Sequence, residues 1–287
     1  MKKASLLLAI ILGFNGMLMA QQKERKPFIL GTIDAVQSAI LSESRTLNIY
    51  LPEGYTANDT IKYPVIYLLD GSADEDFIHI TGLVHNFSFP WINQLPKSIV
   101  VGIANVDRRR DFTYPSTVPL DKKESPTSGS SDKFIAFIEK ELQPYIENNY
   151  KVSTSKTIIG QSLGGLLATE ILLTKPKLFN TYIIMSPSLW WDNGSLLHKS
   201  AVTGGIASLN FDPNTKVYVG VGKEGAMPGR EKLVMEDTAK KLAENLKKGK
   251  NKNLTVFFDF LPKENHATVT HQAVYNAFRL LNPVKPE

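Results

Sequence analysis

Short apolar runs alternate with amphipathic segments along most of the chain. Two early segments, residues 29–35 and 46–51, alternate apolar and polar positions, which is typical of antiparallel strands. The later runs are continuously apolar, as expected for strands that are buried on both faces of a parallel sheet. These runs comprise residues 64–69, 98–104, 157–159, 181–185, 216–221 and 255–260.

The segments between the later runs carry apolar residues at helical spacing. They comprise residues 132–147, 163–173, 231–247 and 271–281. Strands that alternate with helices predict an α/β domain. We therefore expect a mostly parallel central sheet with an antiparallel N-terminal strand pair and helices on both faces. Ligands of such sheets bind beyond the carboxyl ends of the strands, so candidate chemical groups directly follow the apolar runs.

One such group is a serine between a predicted buried strand and a predicted helix, in the sequence Gly160-Gln-Ser162-Leu-Gly164. This is the context of a G-x-S-x-G nucleophile elbow, which exposes the serine at a strained turn. We expect glycine at positions 160 and 164 because side chains there would clash across the turn. The helix N-terminus and the N–H of Leu163 would face an oxyanion. Ser162 is the predicted nucleophile.

A serine nucleophile needs a base, and the chain contains five histidines. His266 follows the last predicted strand on a short polar loop, which is where an α/β-hydrolase places its base. His271 lies five residues later in the final helix, and histidines five apart do not share a helix face, which argues against a metal pair. His79 and His85 follow the first parallel strand, and we interpret them as structural. No metal site is predicted.

The acid that orients the histidine should follow an intermediate strand. Glu224 comes just after the penultimate strand and between Ser162 and His266 in chain order, so it is the favoured candidate. Asp192, after the preceding strand, is the alternative. A second oxyanion donor is expected in the turn after the first parallel strand, where Gly71 permits close backbone approach and the N–H of Ser72 is the candidate.

Composition excludes several other kinds of site. The chain has 287 residues, no cysteine and a formal net charge of +5. Without cysteine there is no disulfide, no thiolate zinc site, no iron–sulfur cluster, no cysteine nucleophile and no lipid-modified N-terminal cysteine. Apolar residues form 43% and charged residues 21% of the chain, which is typical of a globular protein.

The first 20 residues have the layout of a secretory signal peptide. Lys2 and Lys3 precede an apolar run, and the segment ends in Met-Leu-Met-Ala20. The alternative is a retained membrane anchor, but the apolar run is shorter than a spanning helix needs. We expect cleavage after Ala20, which leaves a single domain over residues 21–287. Loss of two lysines lowers the charge of +5 to +3, which gives little support for nucleic-acid binding.

These motifs resemble the esterase D family of α/β-hydrolases, and within it the branch that is similar to enterochelin esterases and siderophore trilactone hydrolases. The resemblance extends over most of the chain after residue 20. It is carried by residues 63–71, 101–111, 160–165, 186–192 and 264–266. It implies an α/β-hydrolase fold and a serine carboxylic-ester hydrolase without cofactor, with Ser162 and His266 at the positions of the nucleophile and the base.

Two groups of side chains are candidates for substrate binding. The arginine run at residues 108–110, and Arg110 in particular, would receive an anionic substrate through paired N–H donors, unless these arginines face solvent or pair with the flanking aspartates. Trp190 and Trp191 would form an aromatic wall for a planar acyl group; a place in the core or at a dimer contact is the alternative.

The sequence therefore predicts an exported serine esterase, periplasmic or secreted, that acts by an acyl-enzyme mechanism on a small-molecule ester. Siderophore trilactones and acylated or feruloylated sugars are candidate substrates. An acyltransferase of the same fold and a non-catalytic binding protein on a hydrolase scaffold are the alternative functions. No nucleic-acid partner and no stable membrane anchor are expected.

Overall fold

A computed structural model describes residues 25–58, 60–201 and 205–283. The predicted signal peptide, residues 1–20, lies outside the described residues. Residues 25–30 have neither helix nor strand, and the described residues from Gly31 onward form a separate compact unit. None of the helices in the described ranges combines the length and the apolar character that are needed to cross a bilayer.

An eight-stranded sheet organises this unit. Its strands lie in the order β1-β2-β4-β3-β5-β6-β7-β8. The strands are β1 (Thr32–Ser38), β2 (Glu43–Tyr50), β3 (Tyr63–Leu68), β4 (Ile99–Ile103), β5 (Val152–Gln161), β6 (Thr181–Met185), β7 (Thr215–Gly222) and β8 (Leu254–Leu261). β2 is antiparallel to both β1 and β4, and every other pair is parallel. The predicted mostly parallel sheet with an antiparallel N-terminal pair is confirmed.

The register aligns the carboxyl ends of the last four strands. Gln161 of β5 pairs with Met185 of β6, and Met185 pairs with Gly220 of β7. Gly222 at the end of β7 pairs with Leu261 at the end of β8. The loops that leave these strands therefore begin at one edge of the sheet, which is where parallel sheets bind ligands.

Helices and helical turns fill the connections. They are α1 (Phe77–Phe87), α2 (Arg108–Phe112), α3 (Pro119–Glu124), α4 (Ser131–Phe137), a π-helical turn (Ile138–Leu142), α5 (Gln143–Asn149), α6 (Leu163–Thr174), a 3₁₀ turn (Trp191–Gly194), α7 (Ser195–Ala201), α8 (Gly205–Ser208), α9 (Met235–Lys248) and α10 (Val269–Leu281). α9 and α10 both pack against β7.

The two helices contact opposite faces of that strand. Val217, Val219 and Val221 point into the core cluster that includes residues of α9, whereas Tyr218 between them faces the other way. Helices therefore cover both faces of the sheet, as predicted.

Two helix predictions differ from the structure. The helix expected over residues 132–147 is divided by the π-helical turn, which ends where Pro144 lacks the N–H that would continue the hydrogen-bond ladder. The helix expected from residue 231 begins at Met235, because Arg230 is held in the preceding loop by Asp121 and Glu124.

Candidate active site

Ser162 occupies a strained turn between β5 and α6. Its backbone angles, φ 60° and ψ −118°, are rarely adopted by residues other than glycine and are typical of functional sites. A Cβ on Gly160 would lie 2.4 Å from the carbonyl oxygen of Gly164, so the turn requires glycine at position 160. A Cβ on Gly164 would meet nothing closer than 3.4 Å. The expected clash therefore exists at Gly160 and not at Gly164.

His266 and Glu224 lie side by side beyond the ends of β8 and β7. The imidazole Nδ1 is 2.6 Å from Glu224 Oε2. The His266 side chain is 47% exposed, whereas that of Glu224 is 3% exposed. Glu224 Oε1 also accepts hydrogen bonds from the Ser186 hydroxyl and from the N–H of Gly222 at 3.1 Å.

These contacts keep Glu224 ionised. Burial alone would raise the pKa of its carboxyl group, but hydrogen bonds from His266, Ser186 and Gly222 outweigh burial and hold the pKa below its usual range. An ionised carboxylate only accepts hydrogen bonds, so the proton between Glu224 and His266 belongs to Nδ1. The Nε2 atom of a neutral imidazole then keeps its lone pair.

Asp192, the alternative acid, does not approach His266. Its Oδ1 accepts from the N–H of Thr117 at 2.7 Å and from the Thr117 hydroxyl at 2.8 Å. Burial raises its pKa, but hydrogen bonds from Thr117, Ser195 and Ser116 together hold the pKa below its usual range. Asp192 thus stabilises the loop before α3 through Thr117. Of the two candidate acids, Glu224 is the one that contacts His266.

Ser162 and His266 are neighbours without a direct hydrogen bond. Within the described ranges, the group at hydrogen-bond distance from Ser162 Oγ is the hydroxyl of Ser188, at 3.4 Å. His266 is nevertheless held at the elbow, because Nε2 of Gln161 donates to its carbonyl oxygen at 2.6 Å. Catalytic hydrogen bonds are often long or unformed in an enzyme without substrate and tighten when substrate binds.

The two predicted oxyanion donors lie on turns that touch each other. Leu163 is the first residue of α6, where N–H groups have no partner within the helix. Ser72 follows Asp70 and Gly71, and its N–H has no acceptor among the residues that the structure describes. A Cβ on Gly164 would lie 3.4 Å from Asp70 Oδ2, so the Ser72 turn adjoins the elbow. The role of both N–H groups stays a prediction.

Arg108 connects these two turns. Its Nε and Nη2 atoms donate to the two carboxylate oxygens of Asp70 at 2.6 and 2.8 Å, and Nη2 also donates to the carbonyl of Gln161 at 3.2 Å. Arg109 is exposed and donates to a carbonyl of α3.

Arg110 is not available to an anionic substrate, contrary to the prediction. Its guanidinium donates to both carboxylate oxygens of Glu43 and to Asp111. These hydrogen bonds raise the pKa of Arg110 further above its usual value. Asp111 is buried and also binds the buried Arg45, so Arg110 belongs to an ion-pair network that joins α2 to β2.

Trp191 does not form an aromatic wall, because it is 1% exposed and belongs to the core. Its indole N–H donates to the carbonyl of Tyr114 at 2.9 Å. Trp190 is partly exposed, but the guanidinium of Arg230 lies 4.3 Å from its ring centroid and covers one face. Only Trp190 of the pair has surface that a substrate could reach.

Three polar side chains at the site were not predicted: Gln161, Ser186 and Ser188. In the elbow motif Gln161 occupies the variable position, so the motif assigns it no role. Ser186 and Ser188 directly follow the apolar run of β6, so the rule that chemical groups follow strand ends identifies them. No group of three or more His, Asp or Glu side chains in the described residues could hold a metal ion.

The strand order, the serine elbow and the histidine after the last strand define an α/β-hydrolase fold. The chain belongs to the esterase family whose model is described as "Putative esterase", which matches residues 38–280. It is a carboxylic ester hydrolase, and the resemblance predicted from the sequence motifs is confirmed.

Relatives of known name agree with this family. The chain is 34% identical over 260 residues to the ferri-bacillibactin esterase BesA of Bacillus subtilis. This alignment covers 85% of the chain and 88% of BesA. An IroE-like serine hydrolase from Shewanella oneidensis superposes with a TM-score of 0.76 at 31% identity, over 88% of this chain and 80% of that chain. The BES protein of Bacillus cereus gives a TM-score of 0.77 at 29% identity, over 92% of this chain and 98% of that chain.

Proposed function

We propose that Ser162, His266 and Glu224 form the catalytic triad of a serine esterase. The observation that carries the proposal is the 2.6 Å contact between His266 Nδ1 and Glu224 Oε2, next to a serine in a strained elbow. The name of the Shewanella relative, a serine hydrolase, supports the same assignment.

The mechanism is acyl transfer in two halves. His266 Nε2 takes the proton of Ser162 Oγ as the oxygen attacks the ester carbonyl, and ionised Glu224 stabilises the imidazolium that forms. The tetrahedral intermediate collapses, His266 returns the proton to the leaving alcohol, and the acyl group stays on Ser162. His266 then deprotonates a water molecule, which attacks the acyl-enzyme and releases the acid with Ser162 restored.

The oxyanion of both intermediates is held by the N–H groups of Leu163 and Ser72. Both are backbone donors on rigid turns, so they need no rearrangement when negative charge develops. The N-terminus of α6 adds the positive end of its helix dipole at the same place.

We propose a siderophore ester as the substrate. The support is the relative BesA, which is named a ferri-bacillibactin esterase and which this chain matches over most of its length. A hydrolysis panel of catecholate trilactones, feruloyl esters, acetylated sugars and short nitrophenyl esters tests this proposal. Trilactone hydrolysis at least tenfold more efficient than that of the other esters is expected; equal rates, or a preference for a sugar ester, would refute it.

Two experiments test the mechanism and the reaction type. A fluorophosphonate should label the protein, and Ser162→Ala should abolish both labelling and turnover; labelling that persists in the variant would refute the assignment. Product analysis with an added acceptor alcohol separates hydrolysis from acyl transfer, because a transferase would form mainly the new ester.

We also propose that the protein is exported after cleavage behind Ala20, on the strength of the n-region and apolar run at residues 1–20. N-terminal sequencing of protein recovered from outside the cytoplasm should begin at Gln21. Protein that retains Met1 and stays with the membrane would identify an anchor instead.

A further inference from the structure

The loop that carries His266 is not fixed by burial. Residues 262–268, between β8 and α10, form a loop with turns at residues 262–263 and 266–268, and the His266 side chain is about half exposed. The contact with Glu224 fixes the ring at Nδ1 but acts on the side chain alone. The backbone of the loop is tied to the end of β7 at Glu264, whose carbonyl oxygen accepts from the N–H of Lys223 at 2.7 Å. A contact on the main chain of His266 itself would fix its distance from Ser162.

Gln161 supplies such a contact. Its Nε2 donates to the carbonyl oxygen of His266 at 2.6 Å. Gln161 is the last residue of β5 and immediately precedes Ser162, so the hydrogen bond starts one residue from the nucleophile and ends on the main chain of the base.

The main chain of Gln161 is itself held from two sides. It pairs with Met185 of β6, and its carbonyl oxygen accepts from Arg108 Nη2 at 3.2 Å. Arg108 is in turn fixed by two hydrogen bonds to Asp70. The Gln161 side chain thus extends from a rigid strand end to the main chain of the exposed His266.

We propose that Gln161 is a positioning residue that sets the distance between Ser162 and His266. This inference rests on the proposed Ser–His mechanism. Gln161 acts through the carbonyl of His266 and not on the reacting atoms. A displacement of about 1 Å in such a pair is enough to cost on the order of 100-fold in rate.

The test compares two substitutions at this position with a matched control. Gln161→Met keeps an unbranched side chain of similar length and loses the donor. Gln161→Glu keeps the shape and places a carboxylate oxygen against the His266 carbonyl. Gln272→Met makes the same change on α10, where Gln272 donates only to Asn276 on the same helix.

We expect kcat to fall about 10- to 100-fold in Gln161→Met, with KM nearly unchanged, since alignment and not substrate binding is lost. The rate of fluorophosphonate labelling should fall by a similar factor, because phosphonylation also needs His266 to accept the serine proton. Gln161→Glu should lose at least as much activity, because its carboxylate oxygen would face the His266 carbonyl oxygen, and two acceptors cannot form a hydrogen bond. Gln272→Met should retain wild-type kinetics.

Rates are expressed per active site, titrated from the burst of nitrophenol. A merely structural role would lower the burst amplitude or the melting temperature while each titrated site kept its wild-type kcat, and that result would overturn the proposal. Wild-type kcat and labelling rate in Gln161→Met would also overturn it. Failure of the mechanism itself is distinguishable, because Ser162→Ala would then retain turnover whatever Gln161 does.

Discussion

The Arg108 guanidinium donates to both carboxylate oxygens of Asp70, at 2.6 and 2.8 Å, and one of its nitrogens also reaches the Gln161 carbonyl at 3.2 Å. Asp70 opens the turn that carries Ser72, and Gln161 opens the elbow. One side chain therefore spans the two turns from which the proposed oxyanion donors come.

Arg108→Met should lower kcat/KM about 10- to 100-fold, because the two turns lose their link and the donors lose alignment. Arg108→Lys should recover only part of the loss, since an ammonium group cannot bind both carboxylate oxygens in the same planar geometry. The kcat/KM of each variant is measured with a neutral nitrophenyl ester and with an anionic nitrophenyl ester.

The matched control is Arg109→Met, because the Arg109 side chain is exposed and its guanidinium donates to the Glu124 carbonyl at the end of α3; its kinetics should stay within about twofold of wild type. A loss confined to the anionic ester in Arg108→Met would contradict the positioning role and indicate direct substrate binding.

Glu224→Gln should reduce kcat by about 100- to 10,000-fold. The amide would present a hydrogen-bond donor or a neutral acceptor to Nδ1, so the imidazole would lose both its orientation and the charge that stabilises its protonated form. Steady-state kinetics with a nitrophenyl ester measure the loss. Asp192→Asn is the control: it removes a carboxylate that binds Thr117, so it should lower the melting temperature while leaving kcat near wild type. The reverse result would restore Asp192 as the acid.

Gly160→Ala should abolish activity and destabilise the protein by about 1–3 kcal/mol or more, because the new Cβ would lie 2.4 Å from the Gly164 carbonyl. Gly82→Ala provides the contrast. Gly82 lies inside α1 with no atom within 4 Å of a new Cβ, so alanine should stabilise the protein by about 0.5–1 kcal/mol. Urea unfolding measures both; equal effects would show that the crossing of β5 and α6 is looser than described.

Asp76 should make stability fall with rising pH. Burial and the charges of Asp70 and Glu75 raise its pKa from 3.8 to about 6, against the opposing effect of Arg108 and His271. Proton binding to Asp76 in the folded protein therefore contributes its full stabilisation below pH 3.8, where the carboxyl group is neutral in both states. That stabilisation is lost as pH rises through 6, where the buried carboxyl group must ionise.

Asp76→Asn should accordingly stabilise the protein above pH 6 and make no difference below pH 3.8. The gain should be about 1 kcal/mol, after allowance for the partial exposure of the carboxyl group. Melting curves of both proteins between about pH 3 and pH 8 measure it. A difference that is constant with pH would show that the effect does not arise from titration of Asp76.

Much of this molecule follows from local sequence patterns. The continuous apolar runs determined the parallel strands, because only a sheet covered on both faces accepts them. Gly160, Ser162 and the following helix determined the elbow, because the strained turn needs glycine in front of the serine. His266 followed from its place on a short polar loop after the last predicted strand.

Tertiary structure decided whatever depends on partners distant in the chain. Glu224 and Asp192 both follow strands, and only the register of β7 beside β8 brings Glu224, and not Asp192, to His266. Arg108 and Arg110 lie two residues apart, yet one joins Asp70 at the site and the other joins Glu43 in a structural network. Which of two similar residues acts at the site depends on the charged groups that long-range packing places beside it. A local sequence pattern does not encode those distant partners.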